Sequence, residues 1–168
     1  MPGVREIGLL VNPSNPNTET LSKSVHEAAR TLGVEIRPVK AENDNELDNA
    51  FATLKNLGVG ALLIGNDPFF NGRSERLAEL ALSHFLPAVY QYRRFVEAGG
   101  LMSYRASNTD SHRRLGAYVG RILAGTKPND LPVEQSTKVD LLLNLKTTKT
   151  LGLTIPPSIL GRADEVIE

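Results

Sequence analysis

The stretch Gly60-Ala-Leu-Leu-Ile-Gly-Asn-Asp-Pro-Phe-Phe70 carries the fold prediction, because an unbroken apolar run ends abruptly in polar residues. Apolar runs without polar alternation are typical of strands that helices cover on both faces, as in the middle of a parallel sheet. In open α/β sheets, ligands lie outside the carboxyl ends of the strands. Asn66 and Asp67 therefore occupy the place where recognition or chemistry is expected.

Helices and strands alternate on both sides of this run. Further strands are predicted at 6–11, 34–39, 87–92 and 101–104, and the helices between them at 18–32, 43–57, 77–85 and 94–98. Asn43 and Glu46 have the spacing of a capping box at a helix start. Pro38 suits an edge strand, where a missing ladder bond is tolerated. Such alternation implies right-handed parallel crossovers, so the sequence predicts an α/β fold with a doubly wound, mainly parallel sheet.

The last third of the chain is less regular. A helix is predicted over 110–124, a strand over 139–144, a short helix over 145–151 capped by Asn144, and a final turn and end strand after Ile155. Helical spacing predicts that the apolar side chains of the longer helices face inward. This expectation covers Leu21, Val25, Ala28, Ala29, Leu32, Leu47, Ala50, Phe51, Leu54, Leu57, Leu77, Ala78, Leu80, Ala81, Leu82, Phe85, Leu115, Tyr118, Val119, Ile122 and Leu123.

Composition excludes several classes of partner. The 168 residues suit one domain, or one domain with an appendage, and nineteen basic residues balance nineteen acidic ones. We therefore expect no nucleic-acid partner. Cysteine is absent, which removes disulfides and thiolate chemistry. No apolar run is long enough to span a membrane, and residues 1–7 lack the basic-then-apolar layout of a signal peptide.

Five stretches together resemble the ABC-transporter substrate-binding family that includes tryptophan- and phenylalanine-binding lipoproteins. They are Asn12-Pro-Ser-Asn-Pro-Asn17, the Asn-Asp-Pro-Phe-Phe run at 66–70, Phe95 to Tyr104, Leu131-Pro-Val-Glu-Gln135 with Asn144-Leu-Lys-Thr147, and Leu151 to Pro157. The resemblance runs in order from about residue 4 to the last residue. It implies a type I periplasmic binding protein fold, with a Rossmann- or flavodoxin-like lobe, and a solute-binding rather than catalytic role.

The resemblance also implies a division of the chain. Residues 4–104 correspond to the second, ligand-binding lobe of that family, and residues 107–168 to a segment that crosses back to a first lobe. Without a first lobe, the apolar strand Leu141–Leu143 would lack its natural cover, and the apolar faces of residues 107–168 must pack either on their own second lobe or on another copy of the chain. We predict a homodimer, since exchange between copies is a low-cost arrangement. The resemblance further implies an ABC permease as partner of the full-length receptor and a periplasmic or lipid-anchored location.

Polar and aromatic residues lie at or just after the carboxyl ends of three of the predicted strands. They comprise Asn12, Ser14, Asn15, Asn66, Asp67, Phe69, Tyr90, Gln91 and Tyr92. An amino-acid zwitterion requires donors for its carboxylate, a carboxylate for its ammonium group and an apolar wall for its side chain. With Asp67 as the partner of the ammonium group, the sequence predicts an amino-acid site at this edge.

A purely structural interpretation explains the same residues and stays open. Asparagines beside prolines are typical of tight loops, Asp67 before Pro68 is a common helix cap, and Phe69 suits the top of a core. Tyr104 and Ser103 lie near the predicted crossing between lobes, where a hinge role is favoured over ligand contact. Arg93 and Arg94 could pair with a ligand carboxylate, although a solvated helix start is the favoured interpretation.

Other functions have weaker support in the sequence. No nucleotide-binding glycine pattern, phosphate loop or nucleophile elbow is present. Asp67 after the third strand permits a phosphoryl-accepting signalling domain, yet Asn12-Pro-Ser replaces the acidic pair that Mg²⁺ would need. His26, His84 and His112 lack the spacing of a metal site or triad, so no metal or cofactor is expected. A structural or assembly module without a ligand remains the alternative.

Overall fold

A seven-stranded sheet organises the computed structural model, which describes residues 3–134 and 137–168. The strands are β1 (Glu6–Val11), β2 (Glu35–Lys40), β3 (Ala61–Ile64), β4 (Ala88–Tyr90), β5 (Met102–Ala106), β6 (Val139–Asn144) and β7 (Glu165–Ile167). Gln135, which closes one of the stretches quoted above, lies outside the described residues.

The strand order is β2-β1-β3-β4-β5-β6-β7. The first five strands pair in parallel, β6 runs antiparallel to β5, and β7 is parallel to β6. This arrangement confirms the α/β fold with a mainly parallel, doubly wound sheet, and β2 with Pro38 forms one edge as expected. The carboxyl ends of β1, β3 and β4 consequently lie side by side.

Eight helices connect the strands within the described residues. They are α1 (Thr18–Leu32), α2 (Asp44–Leu57), α3 (Pro68–Asn71), α4 (Ser74–Ser83), α5 (Arg93–Glu97), α6 (Asn108–Leu123), α7 (Leu145–Thr150) and α8 (Pro157–Leu160). Side-chain caps define several starts: Asn43 accepts from the backbone N–H of Glu46, and Asn144 accepts from that of Thr147. The capping box at Asn43 is modified, since the Glu46 carboxylate accepts from the backbone N–H of Glu42.

The core lies between β1, β3 and β4 and the helices α2, α4 and α5. Its largest fully buried side chains include Phe51, Phe70, Tyr90, Phe95 and Leu62. Tyr90 stacks on Phe95 with ring centroids 4.7 Å apart. The packing of these aromatic rings stabilises the positions of the strand ends at the carboxyl edge of the sheet.

Several apolar helix residues lie outside this core, contrary to the sequence expectation. On α6, Leu115, Val119, Ile122 and Leu123 are exposed, and so are Ala28, Leu32, Leu57 and Phe85 elsewhere. Helical spacing identifies an apolar face but not the surface that covers it, and no described element packs over the apolar face of α6. Phe85 follows the end of α4 with a positive φ of 51°, and Leu86 takes the buried place instead.

The expected exposure of strand Leu141–Leu143 is wrong. These residues belong to β6, which pairs antiparallel with β5 in the register Met102–Leu143 to Ala106–Val139. All three leucines are buried, because β6 is an inner strand covered on its outer side by β7. Sequence reasoning located the strand but not its partner, since pairing between distant segments leaves no local signal. The division of the chain between residues 104 and 107 stays a prediction.

Candidate functional site

The loop after β1 is held by its own asparagine side chains. The side-chain oxygen of Asn12 accepts from the backbone N–H of Ser14 at 3.0 Å, and that of Asn15 accepts from the backbone N–H of Asn17 at 2.9 Å. Such turns are the usual structural use of asparagine in a loop. They leave the amide nitrogens of Asn12 and Asn15 free to point across the edge of the sheet.

Asp67 receives both of these amide groups. Its carboxylate accepts from Asn12 Nδ2 at 3.1 Å, from Asn15 Nδ2 at 2.7 Å and from the backbone N–H of Phe69 at 2.8 Å. The residue is only 4% exposed and caps α3. The structural role that the sequence left open is therefore confirmed for Asp67. Its predicted contact with a ligand's ammonium group stays a prediction, and the carboxylate is already occupied by three donors.

Seven of the nine predicted site residues line one open cavity of about 640 Å³ at the carboxyl edge. This cavity, called the rim cavity below, contains Asn12, Ser14, Asn15, Asn66, Asp67, Phe69 and Tyr92, together with Pro16, Asn17, Pro68 and Asn71. Its exposed polar groups are mostly neutral amides. The rim cavity can thus donate and accept hydrogen bonds mainly through neutral groups.

Aromatic rings form two walls of the rim cavity, and arginines cover both of them. The guanidinium of Arg73 lies 3.9 Å from the ring centroid of Phe69. The guanidinium of Arg105 lies 4.5 Å from the centroid of Tyr92, and that of Arg94 lies 5.4 Å away. Cation–π contacts of this kind orient the rings and bring positive charge to the edge of the sheet.

Two predicted site residues are not part of this cavity. Tyr90 is 1% exposed and belongs to the core, because the alternation along β4 turns its side chain inward. Burial raises the pKa of its phenol. Gln91 donates to the backbone carbonyl of Ile64 at the end of β3, and its side-chain oxygen is buried without a partner among the described residues. Neither Tyr90 nor Gln91 lines the rim cavity, so ligand contact by these two residues stays a prediction.

A second cavity of about 470 Å³ adjoins the rim cavity at Tyr92 and extends along the ends of β5, β6 and β7. It includes Arg94, Ser103, Arg105, Asn108 and Asp140, and we call it the arginine pocket. Sequence reasoning missed this pocket, since it depends on β6 pairing with β5. The only available signal was the charged pair Arg93-Arg94 directly after Tyr92.

Ion pairs stabilise the outer wall of the arginine pocket. Arg93 bonds to both Glu97 and Glu165, and the hydrogen bond from Arg93 lowers the pKa of the Glu165 carboxyl.

Within residues 3–134 and 137–168, no group of three or more metal-ligating side chains is found. Over the same residues, no helix has the length and apolar character needed to cross a membrane.

Comparison with solved structures identifies closely similar folds. A conserved domain protein from Vibrio cholerae O1 biovar eltor strain N16961 has a TM-score of 0.83 at 23% identity. An ABC domain in complex with L-Trp from Streptococcus pneumonia has a TM-score of 0.83 at 26% identity. CD0873, a substrate-binding protein with adhesive properties from Clostridium difficile, in its ligand-free open form, has a TM-score of 0.80 at 21% identity.

These alignments cover 99% of this chain but only 55–56% of the three solved chains. The chain thus spans little more than half the length of the proteins that it resembles. No curated protein is significantly similar in sequence. The sequence model of the family described as ABC transporter substrate binding protein matches residues 1–167, which is nearly the whole chain. The chain therefore belongs to the ABC transporter substrate-binding protein family.

Proposed function

We propose that this chain is the part of an ABC-importer receptor that binds an amino acid at the carboxyl edge of its sheet. The observation that carries the proposal is the rim cavity, in which seven residues from three separate loops meet. Its volume lies within the range of about 300–1,000 Å³ that is usual for small-molecule sites. Family membership supports a solute as the ligand. The proposal involves binding without a catalytic step.

An aromatic amino acid is the ligand class that we favour. The rim cavity offers amide donors from Asn12 and Asn66 and an aromatic wall at Tyr92. Aromatic walls with few polar groups suit an apolar or aromatic side chain. The similar Streptococcus structure is a complex with L-Trp, which supports the same class. In this proposal Asp67 is a positioning residue that holds the amides of Asn12 and Asn15 in place.

Calorimetric titration of the chain with the twenty amino acids tests the proposal. Saturable binding of an aromatic amino acid, weakened roughly tenfold or more in Asn66→Ala, would support the rim cavity as the site. Asn56→Ala is the matched control, because Asn56 is exposed on α2 away from the cavity. A folded wild-type sample that binds no amino acid at millimolar concentration, or an Asn66→Ala variant that binds like the wild type, would contradict the proposal.

For the whole receptor we propose ligand capture by closure of two lobes, delivery to an ABC permease, and a location outside the cytoplasm, as a periplasmic protein or a lipoprotein. Closure traps a ligand because contacts from both sides add while water is excluded. A chain with one binding face makes only part of these contacts. We therefore expect weak affinity for the isolated chain, in the micromolar to millimolar range of about −8 to −4 kcal/mol.

The homodimer stays a prediction, but the contact surface that we propose for it is now helix α6 instead of strand β6. Strand β6 is buried and cannot mediate it, whereas α6 exposes Leu115, Val119 and Leu123. Large exposed apolar patches commonly mark contact surfaces. We propose that this face of α6 packs against a second copy of the chain. Light scattering over a wide concentration range would show a dimer, and a Leu115→Lys, Val119→Lys variant would be monomeric. A wild-type monomer at all concentrations would refute the dimer.

A further inference from the structure

We propose that the arginine pocket binds the charged ends of the amino acid, with Arg105 holding its carboxylate and Asp140 its ammonium group. This inference rests on the function proposed above. It assigns the contacts with the two charged groups of the ligand to Arg105 and Asp140, which the sequence did not indicate. Asp67 is then no longer needed as the partner of the ammonium group. The ligand's side chain then extends past Tyr92 into the rim cavity, since Tyr92 lines both cavities.

Arg105 and Asp140 face one another across the β5–β6 ladder. They are direct partners in the antiparallel register, so their side chains project from the same face of the sheet. Opposite charges in this position usually form a pair, yet no hydrogen bond or ion pair joins these two side chains. Both line the same cavity. An unpaired cation and an unpaired anion that line one cavity match the two ends of a zwitterion.

Arg105 is held in place by neutral partners. Its Nε donates to the backbone carbonyl of Ala106 at 3.2 Å, and its Nη2 donates to the side-chain oxygen of Asn108 at 2.6 Å. The contact with Tyr92 at 4.5 Å fixes the plane of the guanidinium. None of these groups neutralises its charge. A preorganised guanidinium with a free Nη1 is well suited to a carboxylate.

Arg94 adds a second positive charge on the same side of the pocket. Its Nη1 donates to the backbone carbonyl of Asn71 at 3.3 Å, and its guanidinium also lies beside Tyr92. Within the described residues, no carboxylate pairs with Arg94. Its charge therefore reinforces the preference for an anionic group near Tyr92, where the cation–π contacts of the two arginines converge.

Ser103 provides an unpartnered polar group within the pocket. It lies on β5 and is 4% exposed, yet its hydroxyl has no hydrogen-bond partner among the described residues. This hydroxyl is not sealed in the core but remains accessible from the pocket, so it is available to hydrogen-bond a ligand there.

The charge balance of the pocket favours a zwitterion over a simple anion. Arg93, Arg94 and Arg105 line it together with Asp140, Asp164 and Glu165, so three positive charges meet three negative ones. Arg93 is already paired with Glu165, and Asp164 accepts from the backbone N–H of Leu141. The charges without an ionic partner are then Arg94 and Arg105 on one side of the balance and Asp140 and Asp164 on the other, and Asp140 is the carboxylate directly opposite Arg105.

Three related probes test this assignment: L-tryptophan, tryptamine without the carboxylate, and 3-indolepropionate without the ammonium group. We expect the wild-type chain to bind both analogues roughly tenfold or more weakly than L-tryptophan. Arg105→Gln should remove the discrimination against tryptamine, and Asp140→Asn should remove the discrimination against 3-indolepropionate. Arg105→Lys keeps the charge and should retain part of the carboxylate preference.

Arg30→Gln and Asp130→Asn are matched controls, because both residues are exposed outside the two cavities. Circular dichroism checks that each variant folds. If Arg105→Gln and Asp140→Asn discriminate between the probes as the wild type does, this assignment is wrong while the proposed function stands. If the wild type binds no amino acid at all, the proposed function fails and the assignment fails with it.

Discussion

The carboxylate of Asp67 and the side-chain amide of Asn15 lie 2.7 Å apart and join two loops that are 52 residues apart in the chain. One loop follows β1 and the other follows β3, and these strands are neighbours in the sheet. The same carboxylate also caps α3. Asp67 therefore holds together the two loops and the start of α3 that form much of the rim cavity.

We predict that Asp67→Ala lowers the free energy of unfolding by at least about 1.5 kcal/mol. Hydrogen bonds to a charged group contribute about 1.5–3 kcal/mol each when a partner is removed, and this substitution leaves three donors unpaired. Urea unfolding followed by circular dichroism measures the change. Asp130→Ala, an exposed carboxylate on a surface turn, should shift the midpoint little. Equal midpoints for the two variants would rule out a structural role for Asp67.

Gly100 is required where the turn after α5 approaches the core. A Cβ added there would lie 2.6 Å from the backbone oxygen of Phe95 and 2.6 Å from a ring carbon of Tyr90. Because the carbonyl cannot move aside, we predict that Gly100→Ala destabilises the fold by about 1–3 kcal/mol. Gly116→Ala is the matched control.

Gly116 lies inside α6, where an added Cβ meets nothing within 4 Å. Alanine is favoured over glycine in a helix by about 1 kcal/mol, so Gly116→Ala should be neutral or stabilising. Thermal and urea unfolding of both variants measure the difference. A stable Gly100→Ala variant would mean that the turn is looser than the structure indicates.

Local patterns were sufficient to predict most elements of the fold. The apolar run ending at Asn66, the cap at Asn43 and the stop at Gly58 act over a few residues, and each lies where the sequence predicted. The known geometry of parallel sheets then predicted that the carboxyl ends of β1, β3 and β4 lie at one edge. In the structure, seven of the nine predicted site residues line a single cavity at that edge.

Features that depend on tertiary partners were not predictable in this way. The pairing of β6 with β5 involves segments more than thirty residues apart, as in the pair Arg105–Asp140. Without that pairing, the arginine pocket has no second wall. Tyr90 was misplaced for a different reason. It ends the apolar strand β4, which suggested a position at the rim, but the alternation of side chains along the strand directs its ring into the core. One residue of register decides between these two environments.

Leu143 and Leu123 both lie in apolar patterns of the sequence, but they differ in their exposure to solvent. Leu143 on β6 is fully buried, while Leu123 on α6 is 83% exposed. We predict that Leu143→Ala lowers the free energy of unfolding by about 2–5 kcal/mol, because it leaves a cavity in the packed sheet. Leu123→Ala should change it by no more than about 0.5 kcal/mol in a monomeric sample. Urea denaturation provides both values, and a larger loss at Leu123 would place α6 against a covering surface.

Asp110 at the start of α6 makes stability depend on pH. Hydrogen bonds from Arg113 and Arg114 hold the pKa of its carboxyl below the usual value of 3.8. A lowered folded-state pKa contributes stability that is fully present above pH 4 and is lost as the pH falls through the folded-state pKa. We therefore expect Asp110→Asn to unfold at a lower temperature than the wild type at pH 6.

The difference between the two proteins should shrink steadily below pH 4, since the wild-type carboxyl then becomes neutral as well. Asp44 and Glu165 also have lowered pKa values, through Arg73 and Arg93, but they are common to both proteins and cancel in the comparison. Calorimetric unfolding temperatures between pH 2 and pH 6 measure the effect. A difference that stays constant over this range would mean that the charge of Asp110 does not account for the lower stability of Asp110→Asn.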